Sequence, residues 1–312
     1  MDKRLILTVF LFVFCLIAKA QQDPQFTFYK EANLLYNPAT AGEDGEVSAV
    51  FLNRNQWSGI EGAPSSMLFS VDLPFSFVMK NAAVGLNFLR DELGFENTTL
   101  VNLNYAYTIK QSWGKIGFGL SLGMFNKGID GEWSVPDGSN HSLGDDLLPD
   151  GEVSEIAFDA GFGAFVRTKK AYLSFGITHL NQAEIEVSDK SYIFYKRHFY
   201  LSGSYKIAHE GSVVRFEPSF LFKSDFSGNQ LDLNTDVHYK DVFTAGLGYR
   251  LDDGIIIRIS TRLKNGLGFG YAYDLTTSAL AAYSGGSHEF YVAYSFAFQK
   301  PKKKAYKSVR YL

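Results

Sequence analysis

Only one cysteine occurs among the 312 residues, and it is Cys15, near the start of the chain. Beyond it there is no thiol, which excludes disulfides, cysteine metal sites and a cysteine nucleophile from everything after residue 20. Proline is also scarce, with 8 residues against 29 glycines, and the formal charge is only -3. With 46% hydrophobic and 16% aromatic residues, this balance argues against disorder and against nucleic-acid binding through bulk charge. No apolar run after residue 20 approaches the roughly twenty residues that a helical membrane span requires. No amphipathic helix stands out there either. The six histidines, His141, His179, His198, His209, His238 and His288, show no H-x-x-x-H or comparable ligand spacing. No metal site and no cofactor is expected from them.

The first twenty residues have the three parts of a secretory signal. Lys3 and Arg4 supply the positive start, Leu5 to Ile17 the apolar run, and Ala18-Lys19-Ala20 the small-x-small cleavage pattern, leaving Gln21 first. A lipoprotein signal acylated at Cys15 is disfavoured by the bulky Phe14 before it. The expected organisation is a signal over 1–20, an ordered N-terminal segment over 21–45, a β-barrel over 46–299 and a basic periplasmic tail over 300–312.

What the chain has in abundance is two-residue alternation. Near its end Phe290, Val292, Tyr294, Phe296 and Phe298 alternate with Tyr291, Ala293, Ser295, Ala297 and Gln299. A helix would spread these aromatics around its circumference, whereas a strand gathers them on one face. The same pattern places Val101, Leu103, Tyr105 and Tyr107 against Asn102, Asn104, Ala106 and Thr108, and Phe118, Leu120, Leu122 and Met124 against Gly117, Gly119, Ser121 and Gly123. One face calls for hydrocarbon and the other for water or a polar filling. About fourteen such blocks follow one another, centred near Val50, Phe69, Leu86, Leu103, Leu120, Phe162, Phe175, Leu201, Phe220, Leu233, Leu247, Ile257, Tyr271 and Tyr294.

Short connections, such as Gln111 to Gly114 and Lys240 to Asp241, fall on one parity. The long ones, Asn126 to Glu152, Asn181 to Lys190 and Thr276 to Gly286, fall on the other. That asymmetry, with an even count, predicts an all-β antiparallel transmembrane barrel of the outer-membrane type, closed in lipid and with both termini on the periplasmic side. The alternative, a large secreted sandwich, would need a second sheet to cover each apolar face.

Several motifs invite other readings. Gly119-Leu120-Ser121-Leu122-Gly123 matches the G-x-S-x-G nucleophile elbow, but it sits within a strand pattern where an elbow needs a sharp strand-to-helix turn. No catalytic residue is expected. The long loop carries Asp130, Glu132, Asp137, Asp145, Asp146, Asp150 and Glu152 without EF-hand spacing, which leaves calcium binding and a solvated acidic loop both open. On the polar parity of the later strands lie Arg215, Glu217, Lys223, Asp232, Asp236, Arg250, Arg258, Arg262 and Asp274. Charges survive there only facing water or each other, so the lumen is either closed by pairing or an ordinary hydrated pore lining.

The run Leu35-Tyr36-Asn37-Pro38-Ala39-Thr40-Ala41-Gly42, preceded by Gln22-Asp23-Pro24-Gln25-Phe26 and followed by Arg54-Asn55-Gln56-Trp57-Ser58-Gly59, resembles the opening of the PorP/SprF family. Later echoes include His179-Leu180-Asn181-Gln182, Gly246-Leu247-Gly248-Tyr249-Arg250 and Gly285-Gly286-Ser287-His288-Glu289, so the likeness spans nearly the whole chain after the signal. The resemblance implies an outer-membrane protein of the Bacteroidetes type IX secretion and gliding machinery. It also implies a non-enzymatic role in secreting or anchoring a cargo that carries a C-terminal secretion domain. Implied partners are that cargo, a periplasmic secretion-system or peptidoglycan-linked protein, and outer-membrane lipid. Candidate partner-binding residues are Arg54, Trp57, Asp130, Trp133, Asp137, Asp145 and Asp146. A diffusion channel or hydrophobic-solute transporter is the alternative, since barrels of this size serve those ends as well.

Overall fold

The computed structural model describes residues 23–75, 79, 81–130, 152–188, 191–209 and 211–297. Sixteen strands follow in chain order: β1 Glu46–Asn55, β2 Ser65–Pro74, β3 Ala82–Leu93, β4 Glu96–Gln111, β5 Gly114–Ile129, β6 Val153–Thr168, β7 Ala171–Thr178, β8 Glu184–Ser188, β9 Ser191–Phe194, β10 His198–Tyr205, β11 Val214–Ser224, β12 Asn229–Tyr239, β13 Phe243–Arg250, β14 Gly254–Arg262, β15 Leu267–Thr276 and β16 Ser287–Ala297. Fourteen of them, all but β8 and β9, close into one antiparallel barrel as β16 pairs with β1 from Glu46↔Ala297 to Asn55↔His288. Closure removes every free edge, which a barrel in lipid must do. Each of the fourteen predicted centres falls inside a barrel strand.

Burial follows the two-residue period. Along β4, Val101, Leu103, Tyr105 and Tyr107 are exposed on the outer face, while Asn102, Asn104, Ala106 and Thr108 are buried. Leu103, Leu120, Leu122 and Met124 are among the most exposed large apolar side chains, as befits a face turned to hydrocarbon. The barrel is integral to the outer membrane. No helix of the described residues is long and apolar enough to cross a membrane, so the crossing is made by strands alone.

Two features depart from the pattern read in sequence. The stretch Asn181 to Lys190, expected as a plain long loop, carries strand β8, which forms with β9 a two-stranded hairpin separate from the barrel wall. The even strand count does return the start of β1 and the end of β16 to one side, the base. The chain ahead of β1, however, does not remain there. It climbs inside the barrel, so that Asp23 meets His179 and Tyr200 near the opposite rim.

Candidate functional site

Residues 23–45 run through the lumen from rim to base. Glu43 pairs with Arg167 near the base end of β6, and Gly42 donates its N–H to Asp72 at 2.7 Å, low on β2. Asn33 reaches the Tyr172 hydroxyl at 2.8 Å, and Lys30 reaches Glu217 at 3.0 Å and Asp236 at 2.9 Å. Higher up, Gln25 binds Asp232 at 3.1 Å. Phe26, Phe28, Tyr29, Ala32, Leu35 and Tyr36 are buried in the main apolar cluster. The segment is therefore a plug whose apolar side chains leave water only by entering the barrel.

Thr27 gathers most of the wall charges around it. Its N–H donates to Glu289 at 2.7 Å, and its hydroxyl donates to Asp274 at 2.8 Å while accepting from Arg54 at 2.8 Å. Its carbonyl accepts from Arg258 at 3.1 Å. Arg54 in turn pairs with Asp274 at 2.8 Å and Glu289 at 3.1 Å, and Arg250 joins Asp232 at 3.0 Å to Asp274 at 2.8 Å. Buried charges are tolerable only when paired and hydrogen-bonded, and here each has a partner of opposite sign while the plug adds further hydrogen bonds, with Arg54 Nε the one atom of that residue left without a partner.

A row of small residues makes room for the plug on the other side. Ala83, Ala106, Gly119, Gly163 and Gly176 lie directly opposite one another on β3, β4, β5, β6 and β7. A Cβ at Gly176 would strike the Tyr36 carbonyl, one at Gly163 the Asn37 side chain, and one at Gly119 the backbone of Ala39. Asn37, 1% exposed, fills the space these residues leave. It donates to Ser174 Oγ at 2.7 Å and the Ala164 carbonyl at 3.0 Å, and accepts from Ala39 N–H at 2.9 Å.

The two mouths differ. At the rim, Ile185 of β8, Tyr195 and Phe125 are buried together, with Phe125 and Tyr195 ring centroids 4.5 Å apart. At the base a cavity of about 530 Å³ opens, lined by charges of both signs that include Glu31, Lys206, Arg215, Asp241 and Arg262. Burial pushes the Glu31 carboxyl up to about 7, against the pull of Lys30 and Arg258.

The residues singled out from sequence are distributed as follows. Glu217, Asp232, Asp236, Arg250, Arg258 and Asp274 are buried inside, bonded to the plug or to one another. Arg215 pairs with Asp241 at 2.5 Å and Arg262 reaches Ser295 Oγ at 3.2 Å, both at the base cavity. Arg54, expected as a partner-binding residue, is 1% exposed and is engaged by Thr27, Asp274 and Glu289. Trp57 does lie in the rim loop, where its N–H donates to Ser287 Oγ at 3.1 Å. Asp130 follows the end of β5 and its N–H donates to the Phe95 carbonyl at 2.8 Å. Trp133, Asp137, Asp145 and Asp146 lie outside the described residues. Ser121 is buried in mid-strand on β5, far from the turn that an elbow needs. Sequence reasoning missed the histidine cluster formed by His179 and His198 with Asp23, because its members come from three separate parts of the chain.

The family described as type IX secretion system membrane protein PorP/SprF matches residues 18–294. No curated protein matches the chain. Among solved structures, the outer membrane protein Omp33 of Acinetobacter baumannii is similar over 81% of this chain and 99% of its own, at 7% identity and a TM-score of 0.46. The toluene transporter TbuX of Ralstonia pickettii is similar over 86% of this chain and 94% of its own, at 12% identity and a TM-score of 0.48. Likenesses at these scores carry no argument about function.

Proposed function

Because this chain belongs to the PorP/SprF family of type IX secretion system membrane proteins, we propose that it is a non-enzymatic platform that binds, helps secrete or anchors a type IX cargo through the cargo's C-terminal secretion domain. The observation that supports this reading is the filled lumen. A diffusion channel or hydrophobic-solute transporter needs a continuous path or a lateral opening, whereas residues 23–45 occupy the bore and hold its charges in pairs. A plugged barrel is suited to presenting its rim to a partner.

On this reading the rim carries recognition and the strands carry folding. The loop beside Trp57 is tied to the loop before β16 by Ser58 N–H to the Gly286 carbonyl at 2.8 Å and Gly285 N–H to the Ser58 carbonyl at 2.7 Å, which gives a fixed edge at the rim; a long loop follows Asp130 in the sequence. Cargo contact is assigned to this edge and to that loop, with Trp133, Asp137, Asp145 and Asp146. At the other end, a periplasmic secretion-system or peptidoglycan-linked protein would meet the base cavity and the basic tail from Lys300 to Arg310.

The test is co-purification of cargo with barrels lacking residues 131–151 or 300–312, with heat-modifiable gel mobility reporting assembly. Loop deletion is expected to leave assembly intact and abolish capture of cargo. Parental capture by an assembled loop-deleted barrel would move recognition to the lumen or the periplasmic side.

A further inference from the structure

Asp23 sits at the upper end of the plug, His179 directly follows β7, and His198 opens β10. All three side chains are buried, at 7%, 4% and 2% exposure. Their ligand atoms converge within 4.8 Å of one another. His179 Nε2 lies 3.0 Å from Asp23 Oδ1, and His198 Nδ1 lies 3.6 Å from Asp23 Oδ2. Two ligands held about 2.0–2.1 Å from a tetrahedral ion stand roughly 3.4 Å apart, so this spacing is that of donors around a common centre.

The surroundings have the form of a metal site's outer shell. His179 Nδ1 lies 2.7 Å from Asp159 Oδ1, and Asp159 is itself 1% exposed. A carboxylate on one ring nitrogen fixes the tautomer and leaves the other nitrogen to a metal. The Tyr200 hydroxyl donates to Asp23 Oδ2 at 2.5 Å and the Tyr195 ring meets His179 edge-on at 4.4 Å, which fixes the carboxylate and the imidazole. A cavity of about 20 Å³ adjoins Asp23, Thr178, His179, Tyr195 and Tyr200, room for a single ion or water.

We propose that Asp23, His179 and His198 form a site for one divalent transition-metal ion of the zinc class, which locks the upper end of the plug to the barrel wall. Two imidazoles and a carboxylate suit zinc and its neighbours, whereas magnesium and calcium prefer oxygen donors throughout. The competing occupant is a proton. An imidazolium at His179 would bridge Asp23 and Asp159, while Lys223 donates to the Asp23 carbonyl at 2.5 Å and adds a second positive charge. Loading by metal therefore releases the proton on His179 Nε2. It also requires His198 to move its ring proton from Nδ1 to Nε2, so that Nδ1 gives up its 3.0 Å hydrogen bond to the Lys196 carbonyl and turns its lone pair to the ion.

The experiment uses the full mature barrel in detergent, stripped with chelator and then dialysed against zinc or cobalt chloride. The expected result is about one equivalent of zinc per chain and, with cobalt, the intense visible bands of a four-coordinate ion. His198→Gln and Asp23→Asn should abolish retention, and Asp159→Asn should weaken it about ten- to a hundredfold. Heat-modifiable gel mobility shows which variants assemble. Should a variant fail to assemble, the cobalt spectrum of the parent decides alone. Retention below a tenth of an equivalent, an aqueous octahedral cobalt spectrum, or equal retention by assembled variants would overturn the proposal and leave the imidazolium bridge in its place.

Discussion

The backbone N–H of Thr27 donates to the carboxylate of Glu289 at 2.7 Å, joining the upper part of the plug to the last strand of the barrel. The same carboxylate accepts from Phe28 N–H at 2.7 Å and from Arg54 at 3.1 Å. One side chain thus satisfies three buried donors, and its position shows how tightly plug and wall depend on each other.

Replacing Glu289→Ala should destabilise the barrel by about 3–5 kcal/mol, because Arg54 keeps only Asp274 as a charged partner and two plug N–H groups lose theirs. Urea unfolding in detergent micelles measures the loss. Limited proteolysis of the assembled variant should cut within residues 23–45, which the parent protects.

A side chain at Gly163 has no space beside Asn37 and Pro38. Gly163→Val should therefore displace the plug from its row of small residues. Planar-bilayer recording is expected to show small conductance in the parent and a several-fold larger one in the variant. An open, porin-like conductance in the parent would favour the channel reading.

Glu31 lies outside the strands, and burial raises its carboxyl from 4.5 to about 7. Between those values the unfolded chain releases a proton that the folded chain retains. Stability should then fall as pH rises from about 4.5 to about 7 and level off above that range. Glu31→Gln, which stays neutral throughout, should flatten this part of the profile of unfolding midpoint against pH.

Since no thiol follows Cys15, paired cysteines introduced at Asn37 and Ser174 report on the plug without background. Asn37 Nδ2 and Ser174 Oγ are 2.7 Å apart in the parent, so the two side chains are direct neighbours across the plug and the wall. Oxidised Asn37→Cys/Ser174→Cys barrels should assemble, conduct as little as the parent and capture cargo equally well. Loss of capture on oxidation alone would show that the plug must move for function.

The number of barrel strands, the lipid-facing side chains and the membrane environment were all legible in the sequence, whereas the β8–β9 hairpin was not. The two-residue period acts locally, and hydrocarbon outside the barrel admits only one assignment of its faces. Leu103 and Leu120 point outward for that reason alone. The sequence also marked Arg250, Asp232 and Asp274 as inward charges, but their partners were not legible. A period of two states which face a residue occupies and nothing about what lies across the lumen. Only the tertiary structure brought Thr27 to Glu289, Asn37 to Gly163 and Asp23 to His179 and His198, because these contacts depend on a segment with no period of its own threading a space that exists only once β16 has closed on β1.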